Sequence, residues 1–171
     1  MGETEFKYPP YSPEEHETWS LLYEKQKELL PERACPEFLE GLDVLKLDQK
    51  KIPRLADVSD RLYKATKWKL ARVEGLVPER EFFQYLSQRI FPATDFIRKR
   101  EELNYTPAPD MFHDLFGHTP MITNPDFADF FHYMGMIGAK ADDALLKEVQ
   151  RIYWFTVEFC LIKANGKKRI Y

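Results

Sequence analysis

The chain has 171 residues, 44% hydrophobic and 31% charged, with 25 Lys and Arg against 28 Asp and Glu for a net charge of -3. That length suits one domain around a single core, and the ordinary composition excludes a disordered, collagen-like or low-complexity chain. No long block of one sign offers a footprint for nucleic acid, no apolar run nears the roughly 18 residues of a membrane span, and Cys35 and Cys160 are too few for a disulfide framework.

Residues 1–11 read as an irregular arm, with Pro9 and Pro10 breaking regular structure. The arm lacks the apolar region of a secretory signal and has Phe6 where a myristoylation motif needs Ser or Thr, so a cytoplasmic location is expected. From residue 12 onward a single domain is expected. Ser12-Pro13-Glu14-Glu15 combines a hydroxyl cap, Pro at the first helical position and a carboxylate three residues after the cap, which predicts a helix start. Its apolar stripe through Trp19, Leu22 and Tyr23 runs to about Leu30, where Pro31 should end it. Pro36 opens a second predicted helix, and a third covers Leu55 to Thr66. Lys67 to Val73 alternates apolar and polar residues, as an edge strand or extended segment does.

After Gly75, Pro78 begins a predicted helix through Phe82, Tyr85, Leu86 and Ile90, and Ala93 to Arg100 reads as a further helical piece. Thr106-Pro107-Ala108-Pro109-Asp110 is stiff chain ending in a helix-capping Asp, and Met111 to His118 forms the helix it caps. Asn124-Pro125-Asp126 starts the next helix, and Asp142-Asp143 starts a last one running into Tyr153–Phe159. Asn165-Gly166 is a hairpin signal joining strands at 159–164 and 167–171. The fold class is therefore mainly α, with a few short strands.

Of four histidines, His113 and His118 flank one turn in H-D-L-F-G-H. On a straight α-helix five residues is about 140° of rotation, which would make the imidazoles diverge. Gly117 permits the chain to leave helical geometry, and Pro120 stops the helix from resuming, which would let the second ring swing back beside the first. Glu158 sits among Trp154, Phe155, Val157 and Phe159, where a buried carboxylate needs a positive partner. Two imidazoles and one carboxylate on one face of an ion are the pattern of non-haem Fe(II) oxygenases. Two other readings stay open: helix-end histidines with Glu158 paired to a Lys or Arg, and a zinc site with Asp114 as the only evident base beside it.

The run Y-T-P-A-P-D-M-F-H-D-L-F-G-H-T-P from Tyr105 to Pro120, followed forty residues after His118 by Glu158 in Y-W-F-T-V-E-F, resembles the pterin-dependent aromatic amino acid hydroxylases, most closely their short bacterial branch acting on phenylalanine. The resemblance covers about Tyr11 to Tyr171 and is strongest from Gly75 onward. It implies a mostly helical catalytic domain that holds Fe(II) on His113, His118 and Glu158. It also implies a tetrahydrobiopterin-type electron donor, O2 as co-substrate, and hydroxylation of the ring of L-phenylalanine to give L-tyrosine. Phe82 is implied as the ring on which the pterin stacks, with backbone around Gly75 and Val77 holding its polar edge and Asp114 as an acidic neighbour. Arg98 is implied to pair with the substrate carboxylate, with Thr106 adding a hydroxyl and Asp110 holding Arg98 in place. Pro109, Trp154 and Phe159 are implied as walls around the substrate ring.

Without the resemblance, Phe82 reads as a core aromatic, Asp114 as a solvated helix carboxylate, Arg98 as part of a basic turn, and His16 and His132 as packing or surface residues. The family continues past the position of Tyr171 into a Gly- and Ser-rich loop and further helices that close the substrate pocket, so the catalytic domain is expected to be incomplete at its C-terminus. By that resemblance the regulatory region and tetramer-forming tail of animal members are expected to be absent, as in the bacterial branch, and a monomer is expected. The rival expectation is a catalytically incomplete remnant that binds metal or serves as a helical interaction module.

Overall fold

The computed structural model describes residues 9–159, 161–164 and 166–170. Most of the N-terminal arm, together with Cys160, Asn165 and Tyr171, lies outside the described residues. No helix among the described residues is long and apolar enough to cross a membrane.

Helix α1 (Pro13–Arg33) starts with the predicted capping box: Glu15 N–H donates to Ser12 Oγ, and Ser12 N–H to the Glu15 carboxylate. Pro31, expected to end the helix, instead lies inside its last turn. There the ring removes a single hydrogen bond near the end, and Ala34 N–H still reaches Leu30 O at 2.8 Å. Helix α2 (Pro36–Leu45) and helix α3 (Leu55–Thr66) fall where predicted. Trp19 is fully buried, and its indole N–H finds Asp48 O at 2.8 Å, so α1 buries its largest ring without an orphaned donor.

Strand β1 (Lys69–Val73) pairs in parallel with β2 (Ile90–Thr94), and helix α4 (Glu79–Leu86) crosses between them. Two expectations are corrected here. The helix predicted through Ile90 stops at Leu86, because Arg89 takes a positive φ of 56° that breaks helical geometry. The helical piece predicted for Ala93 to Arg100 is strand β2 followed by loop, with only a 3-10 turn at Arg100–Glu102. Pro92 is tolerated in β2 because a two-stranded sheet leaves each strand an unpaired edge.

Helix α5 (Thr119–Ile122) leads into α6 (Pro125–Lys140), which is capped by Asn124 Oδ1 on the N–H groups of Asp126 and Phe127. Helix α7 (Asp143–Tyr153) is capped by Asp142. Strands β3 (Leu161–Ala164) and β4 (Lys167–Ile170) form an antiparallel hairpin turning through Gly166 at φ 77°. The first strand begins two residues later than expected. The hairpin docks on the end of α1, where Cys35 N–H donates to Ile170 O at 2.9 Å. Cys35 itself is a free, buried thiol.

Helices α4 and α6 touch through glycines. A Cβ at Gly135 would collide with the Ser87 and Leu86 backbone, and one at Gly138 with the Phe83 ring. Gly135→Ala must therefore push α4 outward, and we expect a loss of about 1–3 kcal/mol, measured by denaturant unfolding. An unchanged midpoint would show that the two helices separate freely.

Candidate metal centre

Asp110 is fully buried and starts the helix that carries both histidines: its Oδ1 accepts from His113 N–H at 3.0 Å. From His113 to His118 that helix widens to a π-helix, shown by Thr119 N–H bonding back five residues to Asp114 O. A π-turn closes on the fifth residue instead of the fourth, which places residues five apart one above the other. The two imidazoles thus meet, with Nε2 atoms 3.3 Å apart. The expected mechanism is corrected: Gly117 has no positive φ, and the chain re-enters helix at Thr119 despite Pro120.

Helix α7 likewise passes into a second π-segment, Trp154–Glu158, closed by Phe159 N–H on Trp154 O at 3.2 Å. This segment delivers Glu158 to the imidazoles. Its Oε2 lies 3.4 Å from His113 Nε2 and its Oε1 3.4 Å from His118 Nε2. Metal–donor bonds of about 2.1 Å spread about 90–110° apart would separate donors by about 3.0–3.4 Å. Three edges of 3.3, 3.4 and 3.4 Å match that spacing, so the donor set fits a divalent ion. No Lys or Arg pairs with Glu158 among the described ion pairs, which removes the reading of it as an ordinary salt bridge.

Asp114 is buried, not a solvated helix carboxylate. Its Oδ2 accepts from Thr94 N–H at 2.8 Å and Thr94 Oγ1–H at 2.9 Å, while Oδ1 lies 3.2 Å from His113 Nδ1. A carboxylate on Nδ1 leaves Nε2 to face an ion. Burial opposes charge on His113, but the Asp114 and Glu158 carboxylates outweigh it and raise the imidazole to about 9. Burial also opposes charge on Glu158, yet hydrogen bonds and charge from both imidazoles hold it well below the usual carboxylate range.

A cleft of about 140 Å3 opens over these donors, and Gly75, Val77, Phe82, Pro109 and Asp114 all line it. Its partly buried aromatic wall, Phe82, beside the backbone at Gly75 and Val77, suits a flat heteroaromatic ring with a polar edge. Arg98 lies elsewhere. Its Nε and Nη2 donate to the two Asp110 oxygens at 2.8 Å each, which replaces the solvated basic turn with a buried bidentate pair. It borders a separate, larger cleft on the other side of His113, walled by Phe112 and Phe116.

The remaining predicted residues are not gathered into either cleft. Thr106 Oγ1 donates to Ala108 O at 2.9 Å, and Trp154 and Phe159 stay exposed with ring centroids 5.3 Å apart. Trp154 instead bounds a shallow groove shared with Phe82 and Glu158. His16 accepts from Ile52 N–H and His132 faces Leu86 O, in keeping with packing roles. Sequence reasoning missed Thr94, which it had assigned to a helix, and Tyr153, whose five-residue spacing to Glu158 repeats that of His113 to His118.

Phenylalanine-4-hydroxylase from Chromobacterium violaceum is 46% identical over 162 residues, which are 94% of this chain and 54% of that protein. The one from Pseudomonas aeruginosa is 42% identical over 161 residues, 94% of this chain and 62% of that one. A Chromobacterium violaceum phenylalanine hydroxylase structure with bound iron(III) and oxidised cofactor 7,8-dihydrobiopterin superposes with a TM-score of 0.91 at 46% identity, covering 95% of this chain and 60% of that one. The apo structure of the cold active enzyme from Colwellia psychrerythraea 34H gives 0.95 at 38% identity, covering 100% and 66%. The chain thus spans little more than half the length of such relatives. With residues 4–171 matching the family across nearly all of its length, the chain belongs to the biopterin-dependent aromatic amino acid hydroxylases.

Proposed function

We propose that this chain carries the iron- and pterin-binding part of a phenylalanine 4-hydroxylase. The reaction would convert L-phenylalanine to L-tyrosine with O2, Fe(II) and a tetrahydropterin. The observation that carries the reading is the triangle of His113, His118 and Glu158 donors at 3.3–3.4 Å in a member of this family. When bound, the metal and the reduced pterin supply the electrons and the site for O2 activation.

The chain's own residues do the positioning. His113, His118 and Glu158 would hold the metal at the floor of the cleft that they line together. Thr94 fixes Asp114, and Asp114 fixes the His113 ring. Phe82 offers the pterin a stacking wall, Gly75 and Val77 offer backbone groups to its polar edge, and Asp114 lies beside it. Asp110 holds Arg98 rigid, so that the guanidinium meets a substrate carboxylate without first losing side-chain entropy. Pro109, Thr106, Trp154 and Phe159 would line the amino acid's approach.

The test is tyrosine formation from phenylalanine in air with Fe(II) and a tetrahydropterin, with His113→Ala as control. Tyrosine that disappears in the control supports the reading. A second reading, a metal-binding piece needing further polypeptide to turn over, draws on the exposed Trp154, Phe155, Phe159 and Leu161 at 51, 72, 66 and 60%. Iron-loaded, folded protein that forms no tyrosine would favour it.

Metal binding should also be pH-dependent. At neutral pH the metal-free His113, raised to about 9, carries a proton that the ion must displace. Apparent Co(II) affinity should rise with pH and level off above about 9, measured by titration in non-coordinating buffers. The stability linkage runs the other way. In the metal-free protein, His113 pairing stabilises fully below the unfolded imidazole value of about 6.5 and is lost as pH rises through about 9. Glu158 pairing is present above about 4.5 and is lost on acidification. A pH-independent metal affinity would mean that His113 is neutral at the outset.

A further inference from the structure

The larger cleft beside His113, of about 320 Å3, is walled by Leu22, Leu30, Phe38, Phe112 and Phe116. Apart from His113, the ionisable side chains lining it among the described residues are Lys25 and Arg98, and no described carboxylate does so. The two cations are not equivalent. Arg98 gives Nε and Nη2 to Asp110 in an almost wholly buried pair, so its charge is cancelled where it stands. Lys25 meets no carboxylate among the described ion pairs, and its Nζ donates to the neutral Asn104 Oδ1 at 2.7 Å. A divalent ion among the three donors would likewise be balanced by Glu158 and Asp114, with the imidazoles neutral. Of the charges described at this cleft, that of Lys25 is left uncompensated.

That charge is also held in place. Lys25 lies near the middle of α1, and its bond to Asn104 ties the helix to the segment just after the 3-10 turn Arg100–Glu102. Arg100 makes a second tie, to Glu17 at 2.7 Å. Both ties brace against α1 the stretch of chain that carries Arg98. An ammonium has three N–H donors, so one bond to Asn104 leaves two for a ligand. Because the long side chain is already ordered, it loses less rotamer freedom on meeting an anion.

We propose that Lys25 is a specificity-determining residue of this cleft, its ammonium favouring ligands that carry a carboxylate by supplying the net attraction while Arg98 fixes the orientation. The inference rests on the proposed role of Arg98 toward the amino acid carboxylate. It adds the net charge that the neutral Arg98–Asp110 pair lacks. Lys25 is exposed, and a charge at such a rim acts on attraction and salt dependence more than on geometry.

Binding of L-phenylalanine to the Co(II)-loaded protein, read by equilibrium dialysis, tests this. At low salt Lys25→Gln should raise the dissociation constant about 3-fold, and Lys25→Glu about 10-fold, since reversal doubles the change in charge. Both gaps should shrink below about 1.5-fold in about 0.5 M NaCl, where the screening length falls to about 4 Å. Lys25→Arg should bind as wild type does. Asn104→Ala removes the tie and keeps the charge, so its constant should stay within about 2-fold of wild type. An Asn104→Ala loss equal to that of Lys25→Gln, and unmoved by salt, would make the lysine a brace and overturn the inference. Equal constants for wild type and Lys25→Gln overturn it too, and leave the role of Arg98 standing. Wild-type protein that binds no phenylalanine overturns the proposed role of Arg98 and this inference with it.

Discussion

Glu158→Ala is expected to weaken Fe(II) or Co(II) binding by more than about 100-fold, because outer partners of metal ligands alone are worth about 10–100-fold and Glu158 supplies one of three donors. It is also the only acidic donor among them. Two neutral imidazoles would leave a divalent charge uncompensated in a cleft walled by Phe82, Phe91 and Tyr153. Glu158→Asp should recover less than the wild-type affinity, since the shorter side chain opens the 3.4 Å edges to the imidazoles. Equilibrium dialysis followed by metal analysis reads this directly. Metal retained at the wild-type level in Glu158→Ala would sink the three-donor assignment and leave a two-histidine site or none.

The loss of affinity should not be a loss of fold. Glu158 lies past the end of α7, next to exposed Phe159, and among the described ion pairs its carboxylate meets only the two imidazoles. In the metal-free protein its removal also frees His113 from one of the two carboxylates that raise it toward 9. The variant should consequently bind fewer protons at pH 8 than wild type. Proton uptake and metal retention together separate a missing ligand from an unfolded site.

The helices that the sequence displayed most clearly are those with local chemistry at their ends. Ser12-Pro13, Asn124-Pro125 and Asp142 each carry a side-chain acceptor beside the first orphaned N–H groups, and each cap forms as expected. Strand β2 was hidden for the opposite reason. Its run Ile90–Thr94 is buried from Phe91 on, so it has no alternation to display, and its pairing depends on β1 some twenty residues earlier. The π-segments were hidden too, since one extra residue per turn leaves hydrophobic spacing almost unchanged over a single turn. The metal donors were legible as residue types at suggestive spacings, and the family resemblance grouped them. Their geometry was not legible, because it depends on a change of helix type that only the fold imposes. Nor could sequence spacing show that Thr94 holds Asp114, or that Arg98 faces a different cleft from Phe82.

Asp110→Ala is expected to cost about 3–5 kcal/mol of stability, because removing one partner of a buried ion pair leaves the other charge uncompensated. Asp110 is fully buried and the Arg98 side chain is 11% exposed, so water can do little to replace the lost carboxylate. The same side chain accepts from the backbone N–H of Arg98 and from that of His113, at 2.9 and 3.0 Å, so its removal also orphans a helix-start donor. Burial works against the carboxylate, yet the Arg98 hydrogen bonds and charge and the two backbone donors hold its pKa below the ordinary value. Its contribution is therefore complete above about 3.9, the unfolded value, and fades as pH falls through the folded one. Asp110→Asn should cost less than alanine, since an amide oxygen can still cap His113 N–H while the ion pair is lost. Denaturant unfolding at pH 7 and again near pH 3 measures both effects, and the gap between wild type and Asp110→Ala should narrow at the lower pH. A cost below about 1 kcal/mol at pH 7 would place Arg98 in water. Because the residue that anchors Arg98 also starts the helix bearing His113 and His118, the same variant should loosen metal binding as well. One carboxylate then couples the rigidity of Arg98 to the geometry of the three donors His113, His118 and Glu158.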